Sequence, residues 1–231
     1  MSSRNVFAAH RRAVLAVVAV LLAIASLPLA AGVASAEPPA PGPFTCTTWW
    51  DGGAGTNSWH DPGNWSQDEL PGPADAACIQ AGMAPNGVRY FEPVLTTVGA
   101  LQSDAWLQIE GGGLRAYNGS YVAGVQLYDG RLDVDYDMRV ATFEQFGGTV
   151  GGAGALSTTT FRWLGGTQEG PGWTSVTSSG GTGGLYFKGT GDRTSVGRRF
   201  RVPTGMRWED GGRFLTDRDT IVELWLSLIH I

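Results

Sequence analysis

The carboxylates come closest to a chemical constellation in the stretch LDVDYD, where Asp133, Asp135 and Asp137 alternate, with Asp129 and Glu144 nearby in the chain. Alternate residues of a strand project from one face. Three carboxylates there suit Ca²⁺, which takes oxygen ligands, or supply the pair that glycosidic cleavage requires. The competing account is an outward face made polar while Leu132, Val134 and Tyr136 line the other, and it is the one favoured here. Histidine chemistry rests on His60, since His10 lies within the N-terminal residues 1–36 and His230 in the last residues. No nucleophile elbow, phosphate loop, dinucleotide fingerprint or HExxH helix accompanies it, so no catalytic residue is assigned and no cofactor is expected. Trp49, Trp50, Trp59 and Trp65 crowd a short stretch rich in Gly, Asn, Asp and Pro. Indoles at that density either stack on carbohydrate or cover the end of an apolar core.

The elements that would position these groups show a period. Residues 107 to 178 form four successive 18-residue lines, LQIEGGGLRAYNGSYVAG, VQLYDGRLDVDYDMRVAT, FEQFGGTVGGAGALSTTT and FRWLGGTQEGPGWTSVTS, with Gly112, Gly130, Gly148 and Gly166 each sixth in its line. Gly184 takes the sixth place of a degenerate fifth line. Apolar residues hold places one and three (Leu107 and Ile109, Val125 and Leu127, Phe161 and Trp163), with Gln145 as the exception after Phe143. Places eight and ten repeat the pattern with Leu114 and Ala116, Leu132 and Val134, then Val150 and Gly152. Val122, Val140, Thr158 and Val176 hold place sixteen. Period-two pairs between glycine corners are short strands with one face inward, three to a turn. A single turn cannot bury its own inner face, so equivalent places must stack. A parallel β-helix follows; a β-sandwich leaves the fixed register unexplained. Gly-rich sequence disfavours helix, and almost none is expected beyond the N-terminal segment.

Arg4, Arg11 and Arg12 precede an apolar run from Ala13 to about Ala31 and then Ala34-Ser35-Ala36. This reads as a secretory signal peptide over 1–36; a retained anchor is the alternative, but Ser26 and Pro28 interrupt the run. Cleavage after Ala36 changes the formal charge from 16 − 21 = −5 to 13 − 21 = −8. An acidic mature chain repels nucleic acid and anionic membranes. Its one basic cluster, Arg198, Arg199 and Arg201, reads as a solvated strand or turn. Export also brings Cys46 and Cys78 into an oxidising compartment, where a disulfide between them is expected. Residues 37–43, EPPAPGP, form a proline-rich linker, 44–80 an N-terminal cap, and 81–225 the coils.

A glycine-rich stretch leads into W-x-D-P-x-N-W-S, P-G-x-x-D and an apolar strand, carried by Gly52, Gly53, Gly55, Trp59, Asp61, Pro62, Asn64, Trp65, Ser66, Pro71, Gly72, Asp75 and Ile79. Residues 161–176 follow F-x-W-x-GGT-x-x-G-x-G-x-T-x-V. Both patterns resemble secreted bacterial adhesin-like parallel β-helix proteins of pectin-lyase-like type. That resemblance implies an all-β, right-handed parallel β-helix (solenoid) with a Trp/Gly-rich cap, and a secreted or cell-surface structural stalk forming the N-terminal part of a longer protein. Its partners would be cell-surface or extracellular polysaccharide or protein. A β-helix lyase or glycoside hydrolase, or a carbohydrate-binding module, is the alternative. The last six residues, LSLIHI, resemble a translated library adaptor, so 226–231 is expected to be a non-native tail.

Overall fold

Apolar residues at alternate positions between glycines give short strands, and a strand buried on one face needs an identical neighbour on each edge. In the computed structural model, which describes residues 45–177, 183–202 and 205–224, those neighbours are the equivalent strands of adjacent turns. The expected signal peptide, linker and terminal tail lie outside the described residues. One sheet runs Leu95–Val98, Gly113–Ala116, Arg131–Val134, Thr149–Gly151, Gly166–Glu169, Arg193–Val196 and Phe214–Thr216, one strand per turn for seven turns. The other is twelve-stranded and takes the remaining faces of each turn. All the pairings between named strands are parallel, so the chain is an all-β parallel solenoid, and the described residues add only two 3₁₀ turns, Pro62–Asn64 and Ser66–Asp68. The 18-residue register holds: in the twelve-stranded sheet Leu107 lies beside Val125, Val125 beside Phe143 and Phe143 beside Phe161, while Leu114, Leu132 and Val150 stack in the seven-stranded sheet. These side chains fill one continuous core.

The structure departs from the expected turn in two respects. In the regular coils two strands, not three, make a turn: places thirteen to sixteen run on into places one to three as a single strand, as in Asp137–Gln145 and Ala155–Trp163. No glycine corner separates them, so backbone pairing continues through. Three strands make a turn where intervening residues split that run, as in Ala76–Ile79 and Val88–Tyr90, Trp173–Val176 and Gly184–Phe187, and Arg199–Val202 and Met206–Trp208. In the second of these Phe161 lies beside Leu185, twenty-four positions on, and Gly166 beside Arg193, twenty-seven on. Gly184 therefore does not form a corner. It opens a strand opposite Thr160, and the sixth place of that turn belongs to Arg193.

The sixth-place glycines answer to a steric limit. Gly112, Gly130, Gly148 and Gly166 have φ of 58°, 74°, 60° and 90°. A Cβ on Gly130 would stand 2.5 Å from the Gly112 carbonyl oxygen, and one on Gly148 would stand 2.8 Å from that of Gly130. Those same oxygens accept the ladder bonds from Arg131 N (2.8 Å) and Thr149 N (2.9 Å), so neither can move aside without breaking pairing. Gly130→Ala should therefore lose more stability than the ~1–2 kcal/mol of a left-handed non-glycine residue. Gly55, at φ 71° with open space where its Cβ would go, is the comparison. Gly55→Ala is expected to show only that backbone cost, and equal shifts of the two urea midpoints would contradict the corner argument.

Candidate functional site

Before the regular coils the chain builds a cap from the tryptophan-rich stretch. Thr48–Trp49 pairs in parallel with Ala76–Ile79, and the Cys46–Cys78 disulfide ties the same two segments together. Closing a loop of sequence separation 32 contributes about 3–4 kcal/mol in the chain-entropy account. Trp59 and Trp65 meet edge to face at 4.7 Å, Trp50 and Trp65 at 5.2 Å, and the Trp65 indole N–H donates to the Trp59 carbonyl at 2.8 Å. All three rings are buried, whereas Trp49 is 47% exposed. Trp59 and Trp65 therefore cover the core, and of the four indoles for which carbohydrate stacking is the alternative only Trp49 is exposed. The polar residues of the motif hold this cover in place. Asp61 accepts from Gly63 N and from the Thr56 hydroxyl, Asn64 Nδ2 donates to Thr56 Oγ1 (2.8 Å) and to the Ser58 carbonyl (3.1 Å), and Ser66 Oγ accepts from Trp49 N. Asp75 Oδ2 accepts from Gly72 N at 2.8 Å, fixing the Pro71-Gly72 turn. Between the 52–57 loop and the 83–87 turn lies a cleft of about 460 Å³, with Trp50, Thr56, Asn57, Met83, Pro85 and Asn86 among its walls.

The acidic stretch does not assemble as its alternation suggests. The strand ends at Val134, Asp135 and Tyr136 turn the corner, and Asp137 begins the next strand, so the three carboxylates do not share a face. Asp133 faces away from the core residues Leu132 and Val134, as the polar-face account expects, yet it is only 2% exposed because Arg131 Nε (2.7 Å) and Arg115 Nη2 (3.2 Å) donate to it and cover it. Arg115 Nε also lies 3.4 Å from Asp135 Oδ2, near enough for ion pairing but off the direction of a hydrogen bond. Arg131 reaches on to Glu169 at 2.6 Å, and its hydrogen bond to Asp133 is the main reason its pKa is raised. Glu144 belongs to the other sheet, where it meets Arg162 and Gln126 Nε2. Asp129 accepts from Gly130 N. Burial lifts the Asp137 carboxyl above its usual range against the opposing pull of Arg139. Among the described residues no group of three or more His, Cys, Asp or Glu is placed to hold a metal.

The basic cluster is also divided. Arg199 and Arg201 flank the Trp173 ring at 5.4 and 4.8 Å, and Arg201 pairs with Glu223. Arg198 is fully buried, and the loss of water pulls its guanidinium down to about 10, with Asp133 opposing. It donates to Thr174 Oγ1 and to the carbonyls of Gly152, Glu169 and Trp173. From there a directed chain of hydrogen bonds crosses the interior. Thr174 donates to Gln168 Oε1 at 2.7 Å, Gln168 Nε2 to Gln145 Oε1 at 2.8 Å, and Gln145 Nε2 to the carbonyls of Gly148 and Thr167. Gln145, the exception at place three, is thus an anchor of this chain. Gln168 stands where the preceding turns carry Leu114, Leu132 and Val150, and nothing local in the sequence distinguishes it as an interior residue.

His60 stacks edge-on against Tyr90 at 4.4 Å, with Nε2 3.3 Å from Thr96 Oγ1 and Nδ1 buried without a partner among the described residues. Burial lowers its pKa from the ordinary 6.5, and Glu92 opposes the shift. The unfolded chain therefore takes up the proton first as pH falls. The stability this residue contributes is full above about 6.5 and is lost as pH drops from there through the lower folded value. Tm should fall more steeply between pH 7.5 and 5 for the native sequence than for His60→Gln, and identical slopes would count against the buried neutral imidazole. For the interior chain, Thr174→Val leaves Gln168 Oε1 without its donor and Arg198 Nε without its acceptor, an expected loss of about 2–4 kcal/mol. Thr174→Ser keeps the hydroxyl and should lose about 1 kcal/mol; chemical denaturation reads the difference. No protein-family model, curated protein or solved structure matches the chain.

Proposed function

We propose that this chain is a secreted or cell-surface structural stalk of adhesin-like, pectin-lyase-like β-helix type rather than a catalyst. The observation that carries the reading is how the outward side chains are used: they pair from turn to turn. On one face Gln126 donates to Glu144, which in turn receives Arg162, and beside them Tyr128 and Phe146 stack at 4.6 Å with planes 7° apart. On the next face Arg115, Asp133, Arg131 and Glu169 form a linked run of ion pairs. The oxygens of these carboxylates are thus spent on side chains of neighbouring turns instead of converging on a groove. The same contacts resist bending and slippage between turns, which is what a load-carrying spacer requires.

Two measurements test this reading. Expressed from its first Met in an export-competent bacterial host, the chain should appear outside the cytoplasm with Glu37 as its first residue by intact-mass analysis. Retention of residues 1–36 inside the cell would remove the secretory half of the proposal. Incubated with a panel of plant and bacterial polysaccharides, the exported protein should release neither reducing ends nor unsaturated products. Turnover of any of them would overturn the structural half.

A further inference from the structure

The cap cleft has features that holding the cap together does not require. Its walls carry no charged side chain, so a charged ligand would lose its water there without a counter-charge. Asn57 stands on one wall and Asn86 on the other, and among the described residues neither carboxamide has a hydrogen-bond partner within the protein. Each offers a donor and an acceptor, the combination that hydroxyl groups, themselves donors and acceptors, satisfy. Gly52 supplies the third feature. At φ 69° it leaves open the space its Cβ would occupy, 3.5 Å from the Trp50 indole nitrogen and 3.7 Å from the Met83 carbonyl oxygen. With no side chain on Gly52, the Trp50 indole N–H and the Met83 carbonyl border the cleft unobstructed, a donor and an acceptor that ligand hydroxyls can approach from its open side. Met83 and Pro85 add apolar surface for C–H groups. The volume of about 460 Å³ lies within the range of small-molecule sites.

We propose that this cleft binds a neutral sugar unit, with Asn57, Asn86, the Trp50 indole N–H and the Met83 carbonyl as its polar contacts. The site differs from a platform of exposed indoles: Trp50 contributes its nitrogen edge, and Trp49 lies outside the lining. The proposal stands apart from the stalk reading, because it requires binding and makes no claim about turnover or export.

The test titrates the full mature chain with neutral oligosaccharides (gluco-, xylo-, manno- and N-acetylglucosamine series) and with oligogalacturonate, by calorimetry and by ¹H–¹⁵N spectra of the indole N–H groups. At least one neutral series should bind, with the Trp50 indole resonance moving on saturation. Asn57→Ala together with Asn86→Ala should weaken that binding at least tenfold while leaving Tm unchanged, since neither side chain supports the fold. Trp49→Ala should leave it intact. The proposal fails if no neutral series binds at millimolar concentration, if only oligogalacturonate binds, or if binding survives the asparagine pair and is lost with Trp49.

Discussion

Backbone pairing between successive turns sets the distance within which everything else must fit. Parallel strands lie ~4.8 Å apart, too close for a corner residue to place a Cβ over the carbonyl of the turn beneath while that carbonyl still accepts its ladder bond. Gly112, Gly130, Gly148 and Gly166 follow from this limit, and so does the identity of the inner face. Once corners are locked in register, place one of every turn points at place one of the next, and Val125, Phe143 and Phe161 must pack against one another. A substitution in one turn is therefore felt by two neighbours, and a polar inner residue is tolerated only where adjacent turns satisfy it.

That constraint explains how the fold changes beyond Val176. Extra residues there separate two strand segments, and the next corner gains length as well, with Arg193 standing beside Gly166. Longer corners bring several carbonyls together away from the regular ladder. Arg193 meets them: it turns inward and donates to the carbonyls of Trp163, Lys188, Gly189 and Gly211, with its guanidinium against Phe187 and Trp208. Arg198 does the same one corner further on. Burying a guanidinium without a carboxylate is unfavourable, but several carbonyl dipoles converging on it offset much of the penalty. Each arginine thus engages several carbonyls at once at these longer corners.

Sequence reading succeeds where the physics is periodic. The glycine spacing, the apolar places and the pairing of Cys46 with Cys78 each reflect a constraint that recurs in every turn or follows from two cysteines having no other partner. It fails where one residue's fate depends on a neighbour eighteen or more positions away. LDVDYD has the alternation of a strand, but the corner falls at Asp135 and Tyr136 because the chain must turn in step with the coils on either side. Arg198 sits in a run that reads as solvated, yet carbonyls from Gly152 to Trp173 draw it inside. Gly184 matches the period by position and misses it in space, because the inserted residues shift the register before it is reached. The cap motif was legible as a cover, though the exposed indole, Trp49, and the buried one beside it, Trp50, differ only by which side of one strand they occupy.

The same reasoning indicates where a solenoid has freedom to hold a ligand. Within the coils a side chain faces equivalents on two sides, and its polar groups are drawn into lateral pairs such as Gln126 with Glu144. The 52–57 loop and the 83–87 turn are outside that register. They are brought together because Thr48–Trp49 pairs with Ala76–Ile79 and because Asn57 and Arg89 bond through their backbones, so their side chains are positioned by the fold without being consumed by it. Asn57 and Asn86 keep unused carboxamides for this reason. The repeat commits its surface groups to one another, and the break in repetition at the cap leaves the Asn57 and Asn86 carboxamides without a partner among the described residues.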